Sequence, residues 1–376
     1  MILEILNGYF SMFYSPQILI MIILVTVFYF QNIREAGLRR IVLGESEDSP
    51  LVLTFYQLIY GLAGGLIISV LAGLLNIAFV SYMEVQIIFM LTVFSVTRFS
   101  RYVNVGINIL AVFLMTFLLD REVIPSLDLI NLYLFIGVSH TVQGLIMLTD
   151  RKRGFVPVLL SNQSVIRGGF RISRSYLVPS AAGFYAMTGS ILGTSVFYLM
   201  LIQLFAVKET VMTFSKKQAI KALSSIRIFI GSLILIVSYA VSFSLGFIYF
   251  LIPLVPFLLF LERMIFAYLE SRRAPYYVSD EDSIVVLEVR ENTPAFQSGL
   301  RSGNRILSLD GREKPTYRSL LAFMGTLHYE RGVSLIVLDE NDEEKDIVFR
   351  IRPGMSTGII IVPPAGEIVL PSKDKA

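Results

Sequence analysis

Apolar segments of membrane-spanning length occupy the first two thirds of the chain. The clearest are residues 17–31, 52–76 and 129–148. A helix needs about 20 apolar residues to cross the hydrocarbon core of a bilayer, so the second and third runs each predict a span, and the first does so with its flanks. The runs 85–97 and 103–119 are shorter. They predict two further spans of marginal length.

Two later apolar runs, 176–206 and 228–261, are too long for one span each. A single helix through the second would be about 51 Å long, well beyond the thickness of a bilayer core. The first run is interrupted near "MTGS" and the second near "SFSLG". The pattern therefore predicts a helical hairpin in each, or a shallow re-entrant pair of helices in 176–206.

Basic residues in the connections predict the orientation. With the N-terminus outside, the inner connections contain 19 of the 20 Lys and Arg residues that precede residue 277, and only Arg121 lies outside. Cytoplasmic loops are enriched in Lys and Arg, so this distribution favours about nine crossings and a cytoplasmic C-terminal region. A single span through 176–206 would move the five basic residues of 207–227 to the outside.

Composition agrees with two regions in different solvents. The chain is 55% hydrophobic and 16% charged, yet residues 277–376 hold 28 of its 61 charged residues and carry a net charge of −4, against +7 for the rest. Soluble chains carry about a quarter charged residues. We therefore divide the chain into four segments: a multi-span membrane domain (1–262), a juxtamembrane linker (263–282), a soluble domain (283–365) and a tail (366–376).

The soluble segment contains short strand and helix patterns of the kind that form an α+β domain. "IVVLEV" predicts a strand, "RENTPAFQSGL" a short helix opened by proline, and "NRILSLDG" a strand that ends in an Asp-Gly turn. "YRSLLAFMGTLHY" has apolar residues on one helical face, "VSLIVLDENDEEKDIVFRI" predicts a hairpin with an acidic tip, and "STGIIIV" predicts a last strand.

The stretch "VVLEVRENTPAFQSGLRSGNRILSLDG" resembles the signature of bacterial PDZ domains. It departs from that signature at Ser298, usually alanine, and at Asn304, usually aspartate. The resemblance implies an α+β fold in which the last residues of a partner add as a strand beside one sheet edge and face a helix.

PDZ domains capture the carboxylate of the peptide with a loop of Gly-Leu-Gly-Phe type. The loop "SDEDS" before the first strand has three carboxylates, which would repel that group. The resemblance therefore places the loop at "STGIIIV", as in circularly permuted bacterial PDZ domains. The groove would contain Thr357, Gly358, Ile359, Ile361, Leu320, Leu321 and Met324. The apolar members could instead form the core of the domain, which is as much expected as the groove for Leu321 and Leu327. The occupant could be a C-terminal peptide, an internal peptide or the chain's own tail "VLPSKDKA".

Over the whole chain, the arrangement resembles the MinJ-type membrane-anchored PDZ proteins. The features are the multi-span part, a basic loop followed by "SRSYLVP", an aromatic-rich "RMIFAYLESRRAPYYV" after the last span, and one PDZ domain. The family comprises adaptors of Gram-positive division-site selection. The resemblance implies a non-enzymatic scaffold in the cell membrane, enriched at septum and poles, with a division inhibitor and a polar scaffold protein as partners.

Other functions have weaker support. A zinc protease of the HExxH type is excluded, because the only histidines are His140 and His328, in different regions. A periplasmic serine protease would need a second soluble domain. A PDZ-containing accessory factor of a membrane protease or a transporter-like protein is the alternative, although polar residues within the spans are sparse. His140 is expected to bond to a neighbouring helix. We expect no cofactor, no metal and no nucleic acid partner; the absence of cysteine excludes disulfides.

Overall fold

The computed structural model describes residues 2–43, 49–96, 105–118, 126–151, 153–162, 165–188, 191–243, 245–320, 331–351 and 357–364. The N-terminal part contains eight helices within these ranges. They are α1 (Ile2–Ser11), α2 (Gln17–Leu43), α3 (Pro50–Leu74), α4 (Tyr82–Met90), α5 (Val105–Leu118), α6 (Ser126–Thr149), α7 (Lys216–Ser242) and α8 (Ile248–Ser271).

Five of these helices are long and apolar enough to cross a membrane. The qualifying segments are Gln17–Arg40, Pro50–Leu74, Asp128–Thr149, Lys216–Ser242 and Phe250–Ser271. Helices at three predicted runs, 17–31, 52–76 and 129–148, are confirmed, and so is the helical hairpin in 228–261. Segment 128–149 is 67% buried, against 22–33% for the other four. Helix α6 is therefore the central helix, and the outer helices present apolar surface.

The helical hairpin expected at 176–206 is wrong. The chain instead forms a long antiparallel pair of strands, β3 (Val165–Thr188) and β4 (Ile191–Val211). A shorter strand, β2 (Phe155–Asn162), pairs with the start of β3, and β1 (Ala78–Phe79) runs parallel to its far end. The apolar sequence predicts helices here because a strand buried on both faces shows no alternation that would distinguish it from a buried helix.

Helix α3 packs against strand β3 through glycine. A side chain at Gly61 or Gly65 would overlap the backbone carbonyl of Leu177 or Pro179, respectively. One turn further along α3, the Ser69 hydroxyl accepts a hydrogen bond of 2.8 Å from the Ala181 amide. The small residues of "GLAGGLIISV" therefore bring a helix against a strand.

The second strand of the hairpin is also bonded by a hydroxyl group. The Leu204 amide in β4 donates to the Thr92 Oγ1 at 2.8 Å, from a 3-10 helix, Leu91–Val96. Unpaired backbone groups are costly in an apolar environment, and non-helical backbone at membrane depth is tolerated only where protein covers it. These hydroxyl contacts are part of what allows a β-hairpin to lie among apolar helices.

The C-terminal region forms a second sheet. Its elements are β5 (Ile284–Val289), α9 (Pro294–Gln297), β6 (Arg305–Leu309), β7 (Arg312–Glu313), β8 (Arg331–Leu338), β9 (Glu344–Ile351) and β10 (Ile359–Ile361). The strand order is β10-β5-β6-β8-β9, with β7 beside β6. The predicted strands, the short helix and the acidic-tipped hairpin are confirmed, and residues 317–320 are helical. Asp310 and Gly311 both have positive φ, as the predicted Asp-Gly turn requires.

Strand β5 joins the two regions. Ile284 and Val286 belong to the core of the C-terminal sheet, whereas Val285 and Leu287 belong to the core of the N-terminal part. Strand β5 is thus buried on both faces, which explains why four successive apolar residues, 284–287, begin it.

Polar contacts reinforce this junction. The Gly168 amide of β3 donates to the Tyr277 carbonyl at 2.9 Å, and the rings of Phe170 and Tyr277 pack edge to face, 5.3 Å apart. Burial raises the pKa of the Tyr277 hydroxyl. Lys216, at the start of α7, forms an ion pair with Glu288 of β5. The C-terminal region is therefore held directly against one end of the N-terminal part.

Candidate functional site

Strand β10 is one of the two edge strands of the C-terminal sheet in the described part of the chain, and β9 is the other. It pairs antiparallel with β5, with Ile359 opposite Val289 and Ile360 opposite Glu288. The register shifts between Ile360 and Ile361. An edge strand is the element to which a peptide can add as a further strand.

The loop before β10 requires glycine at residue 358. Gly358 has φ +66°, and its carbonyl accepts a 2.8 Å hydrogen bond from the Arg290 amide. A Cβ atom there would lie 2.6 Å from the Thr293 Cγ2 and 2.7 Å from the Arg290 Cβ. A larger residue would therefore displace the loop as well as strain the backbone. Thr357 is buried beside it.

The apolar residues predicted for the groove differ in how deeply they are buried. Ile361 and Leu320 are 4% and 3% exposed and belong to the core of the C-terminal sheet, so they contribute to packing. Ile359 is half-buried and packs at the margin of that core, as does Tyr317. Ile360 packs against the N-terminal core. Leu321, Met324 and Leu327 lie outside the described residues. Ile359 is therefore the accessible apolar residue of β10 on the predicted groove face.

The two departures from the expected signature are accommodated locally. The Asn304 Oδ1 accepts a 2.7 Å hydrogen bond from the Arg301 amide, which an aspartate oxygen could equally accept. The Ser298 hydroxyl donates to the Ala295 carbonyl at 2.9 Å, at the end of α9. Thr293 begins that helix, and its hydroxyl accepts a hydrogen bond from the Phe296 amide. Neither departure disturbs the turn that connects β5 to β6.

The acidic loop before β5 is structured by one of its own carboxylates. Asp280 accepts hydrogen bonds from the Ser283 amide at 2.6 Å, from the Ser283 hydroxyl at 2.9 Å and from the Asp282 amide at 3.1 Å. Burial opposes ionisation, but these hydrogen bonds outweigh it, and the pKa of Asp280 lies below its ordinary value. The loop therefore keeps a negative charge and is a poor site for a peptide carboxylate.

Comparison with known protein families agrees with this architecture. The pattern of the PDZ domain family matches residues 275–347. Residues 275–347 form a PDZ domain. The match extends from the junction with the N-terminal part into β9, and strand β10 lies beyond it. No curated protein matches the chain. A PDZ domain supports protein–protein interaction as the role of this region.

A second polar site lies among the helices. His140 of α6 contacts the Glu262 carboxylate of α8, with 2.6 Å between Nε2 and Oε2. The Arg227 Nε of α7 donates to the other oxygen of Glu262 at 2.7 Å, and its Nη1 lies 3.4 Å from the Gln143 Oε1. The Arg227 guanidinium also lies over the Phe205 ring, 4.4 Å from its centroid.

The expected bond from His140 to a neighbouring helix is thus confirmed. The sequence does not indicate its partner, because Glu262 directly follows the apolar run 228–261, where a residue at the end of a span is expected. Helix α8 instead continues to Ser271, and Glu262 is 7% exposed. The carboxylate and the histidine are 122 residues apart in sequence, so no local spacing could have indicated the pair.

Proposed function

We propose that this protein is a non-enzymatic, membrane-anchored adaptor that binds protein partners through its PDZ domain. The observation that carries the proposal is the direct packing of the PDZ domain against the core of the N-terminal part, whose helices include five of membrane-spanning length. Strand β5 contributes to both cores, so the domain is fixed to its anchor. A partner bound to it would be held at the membrane surface.

The peptide would add to strand β10. Its position at the sheet edge, the glycine-dependent turn at Gly358 and the half-buried Ile359 support this assignment. The carboxylate-binding loop would then follow the main body of the domain, which corresponds to the circularly permuted bacterial type. Met324 and Leu321 would form the helical wall of the groove.

The membrane topology of the proposal places the N-terminus outside and the PDZ domain in the cytoplasm. Five crossings, an odd number, put the two ends on opposite sides. The two shorter apolar helices, Tyr82–Phe94 and Val105–Met115, would enter and leave the bilayer on the same side. The cytoplasmic side would then carry 17 of the 20 Lys and Arg residues that precede residue 277, because Arg98 and Arg101 lie between the two shorter helices.

A reporter fused after Ala376 tests this topology. We expect alkaline phosphatase at that position to be inactive and a green fluorescent protein to be fluorescent, because both report a cytoplasmic location. The same pair fused within the connection between α5 and α6, at Arg121, should give the opposite signals. A phosphatase signal at Ala376 would overturn the orientation and the list of possible partners.

Division-site selection is the cellular process that we propose for this adaptor. The proposal rests on the resemblance to MinJ-type proteins, and the expected partners are a division inhibitor and a polar scaffold protein. Deletion of the gene should displace septa from their normal position, and full-length protein should restore them. Normal septum placement in the deletion strain would contradict this part of the proposal.

A transporter-like role is the second candidate, and the cluster of His140, Arg227 and Glu262 is the observation that favours it. Ionisable residues within membrane helices commonly mark substrate or proton pathways. If the cluster has only a structural role, charge-preserving substitutions such as Arg227→Lys should change stability alone. Loss of solute uptake in a stable Arg227→Lys variant, with septa correctly placed, would favour transport over the adaptor.

A further inference from the structure

A polar pocket lies between α2, α3, the connection that follows α6, and strand β3 of the long hairpin. Its lining includes Glu35 and Arg39 of α2, Gln57 of α3, Asp150 and Arg153 of the connection, and Arg174 of β3. It is separate from the PDZ groove and from the cluster around Glu262.

Two buried arginines in this pocket have unused donors. Arg39 and Arg174 are 8% and 2% exposed. Within the described part of the chain, the Nε atom of each is buried and has no hydrogen-bond partner. Arg174 uses its other nitrogens to bond the Asp150 and Arg151 carbonyls beyond the end of α6. A buried guanidinium N–H without an acceptor is costly, so each site favours an acceptor from outside the chain.

The carboxylates of the pocket are bonded to hydroxyl groups. Glu35 accepts a hydrogen bond from the Ser173 hydroxyl, and Asp150 accepts one from the Tyr176 hydroxyl at 2.8 Å. The Arg153 Nη1 lies 3.9 Å from the Asp150 Oδ1. The Arg153 guanidinium carbon also lies over the Tyr56 ring, 3.3 Å from its centroid.

Three arginines against two carboxylates leave the lining with a formal charge of +1. Arg171 and Lys208 add positive charge, because both interact electrostatically with Glu35. An anion with several acceptor oxygens would satisfy this arrangement, and a phosphate group matches the planar donor geometry of arginine.

The position of the pocket indicates the source of the phosphate. Span Gln17–Arg40 ends beside it, span Pro50–Leu74 begins there, and span Asp128–Thr149 ends there. In the proposed membrane topology, the pocket therefore lies at the level of lipid headgroups on the cytoplasmic side. Next to the pocket, along the apolar lengths of α2 and α3, large apolar side chains are exposed on the surface. Phe30 is 64% exposed and Phe55 is 59% exposed. Acyl chains could lie along these helices.

We propose that this pocket binds the phosphate of an anionic phospholipid headgroup, with Arg39 and Arg174 as its principal donors. The bound lipid would join α2 and α3 to the start of the long hairpin. The Gly168 amide of that hairpin bonds to the Tyr277 carbonyl at the start of the PDZ domain. The site would thus make the docking of the PDZ domain sensitive to the anionic lipid content of the membrane.

Native mass spectrometry of the full-length, delipidated protein tests the proposal. Titration with dioleoylphosphatidylglycerol should show one tight site, and dioleoylphosphatidylcholine should bind at least about tenfold more weakly. Arg39→Gln should weaken phosphatidylglycerol binding by about tenfold or more, because it removes a buried charge and its donors. Arg40→Gln is the matched control, since Arg40 is exposed on the next position of the same helix and does not line the pocket. It should change the affinity by less than about twofold.

Gln57→Glu provides a second variant if Arg39→Gln does not fold. This nearly isosteric change adds a negative charge to the lining and should also weaken phosphatidylglycerol binding. Competition by inorganic phosphate and by glycerol 1-phosphate distinguishes a lipid headgroup from a soluble phosphate compound as the ligand. If either competes with the lipid only at millimolar concentration, the ligand is the lipid. If either binds as tightly as the lipid, a soluble phosphate compound is the ligand and the lipid assignment is overturned. Equal phosphatidylglycerol binding by Arg39→Gln, Gln57→Glu and Arg40→Gln would overturn the site itself.

Discussion

Gly65→Ala is expected to lower the free energy of unfolding by about 3 kcal/mol, although it adds a single methyl group. The new Cβ would overlap the Pro179 carbonyl oxygen, which belongs to the backbone of β3. A flexible side chain could move aside, but β3 is paired with β4 along most of its length, so the strand cannot move alone. Helix α3 would have to separate from the hairpin. The expected cost is therefore at the upper end of the range for overpacking.

Unfolding of the purified protein by sodium dodecyl sulfate, followed by circular dichroism, measures this effect. Gly37→Ala is the matched control, because Gly37 is also helical and a Cβ atom there would meet nothing within 4 Å. Alanine favours helix over glycine, so the control should be neutral or more stable by up to about 1 kcal/mol. Equal stability of Gly65→Ala and the control would show that α3 does not contact β3 through this glycine.

Glu262→Ala is expected to destabilise the helical part by about 3–5 kcal/mol. Glu262 is 7% exposed and holds both His140 and Arg227, each of which belongs to a different helix. Its removal leaves the largely buried Arg227 charge beside the Gln143 side chain and the Phe205 ring, neither of which carries a negative charge. An uncompensated buried charge is far more costly than the absence of the whole pair. The same unfolding assay applies.

A double variant separates the charge from the packing. Glu262→Leu combined with Arg227→Met removes both charges and keeps apolar volume, so it should recover most of the stability that Glu262→Ala loses. If the double variant is as unstable as the single one, the ion pair is not the reason for the loss. If Glu262→Ala is as stable as the unmodified protein, the cluster does not join the helices.

The sequence was most informative where local chemistry determines the structure. The turn at Asp310 and Gly311 and the short helix after Thr293 depend on a few adjacent residues, so the PDZ domain could be predicted from its signature. The hairpin of α7 and α8 could be predicted because its apolar run is too long for one span.

The sequence was least informative where distant residues determine the structure. Residues 176–206 are apolar on every face, and whether they are strand or helix depends on partners such as Gly61 and Ser69 in α3. Likewise, Glu262 follows an apolar run as a boundary residue would, and only the packing of three helices shows that it is buried. In the groove, the pattern indicated β10 but could not separate the core residue Ile361 from the accessible Ile359.

Peptide binding to strand β10 is the central claim, and peptide selection with the intact protein tests it most directly. The full-length protein in lipid nanodiscs would be presented with a display library of free C-terminal peptides, and the affinity of selected peptides would be measured by fluorescence polarisation. Ile359→Lys places a charge on the groove face of β10. Val348→Lys is the control, because Val348 is 66% exposed on β9, at the other end of the sheet. We predict a shared C-terminal motif whose binding is lost in Ile359→Lys and retained in Val348→Lys. Selection of no motif, or equal binding by both variants, would contradict the account.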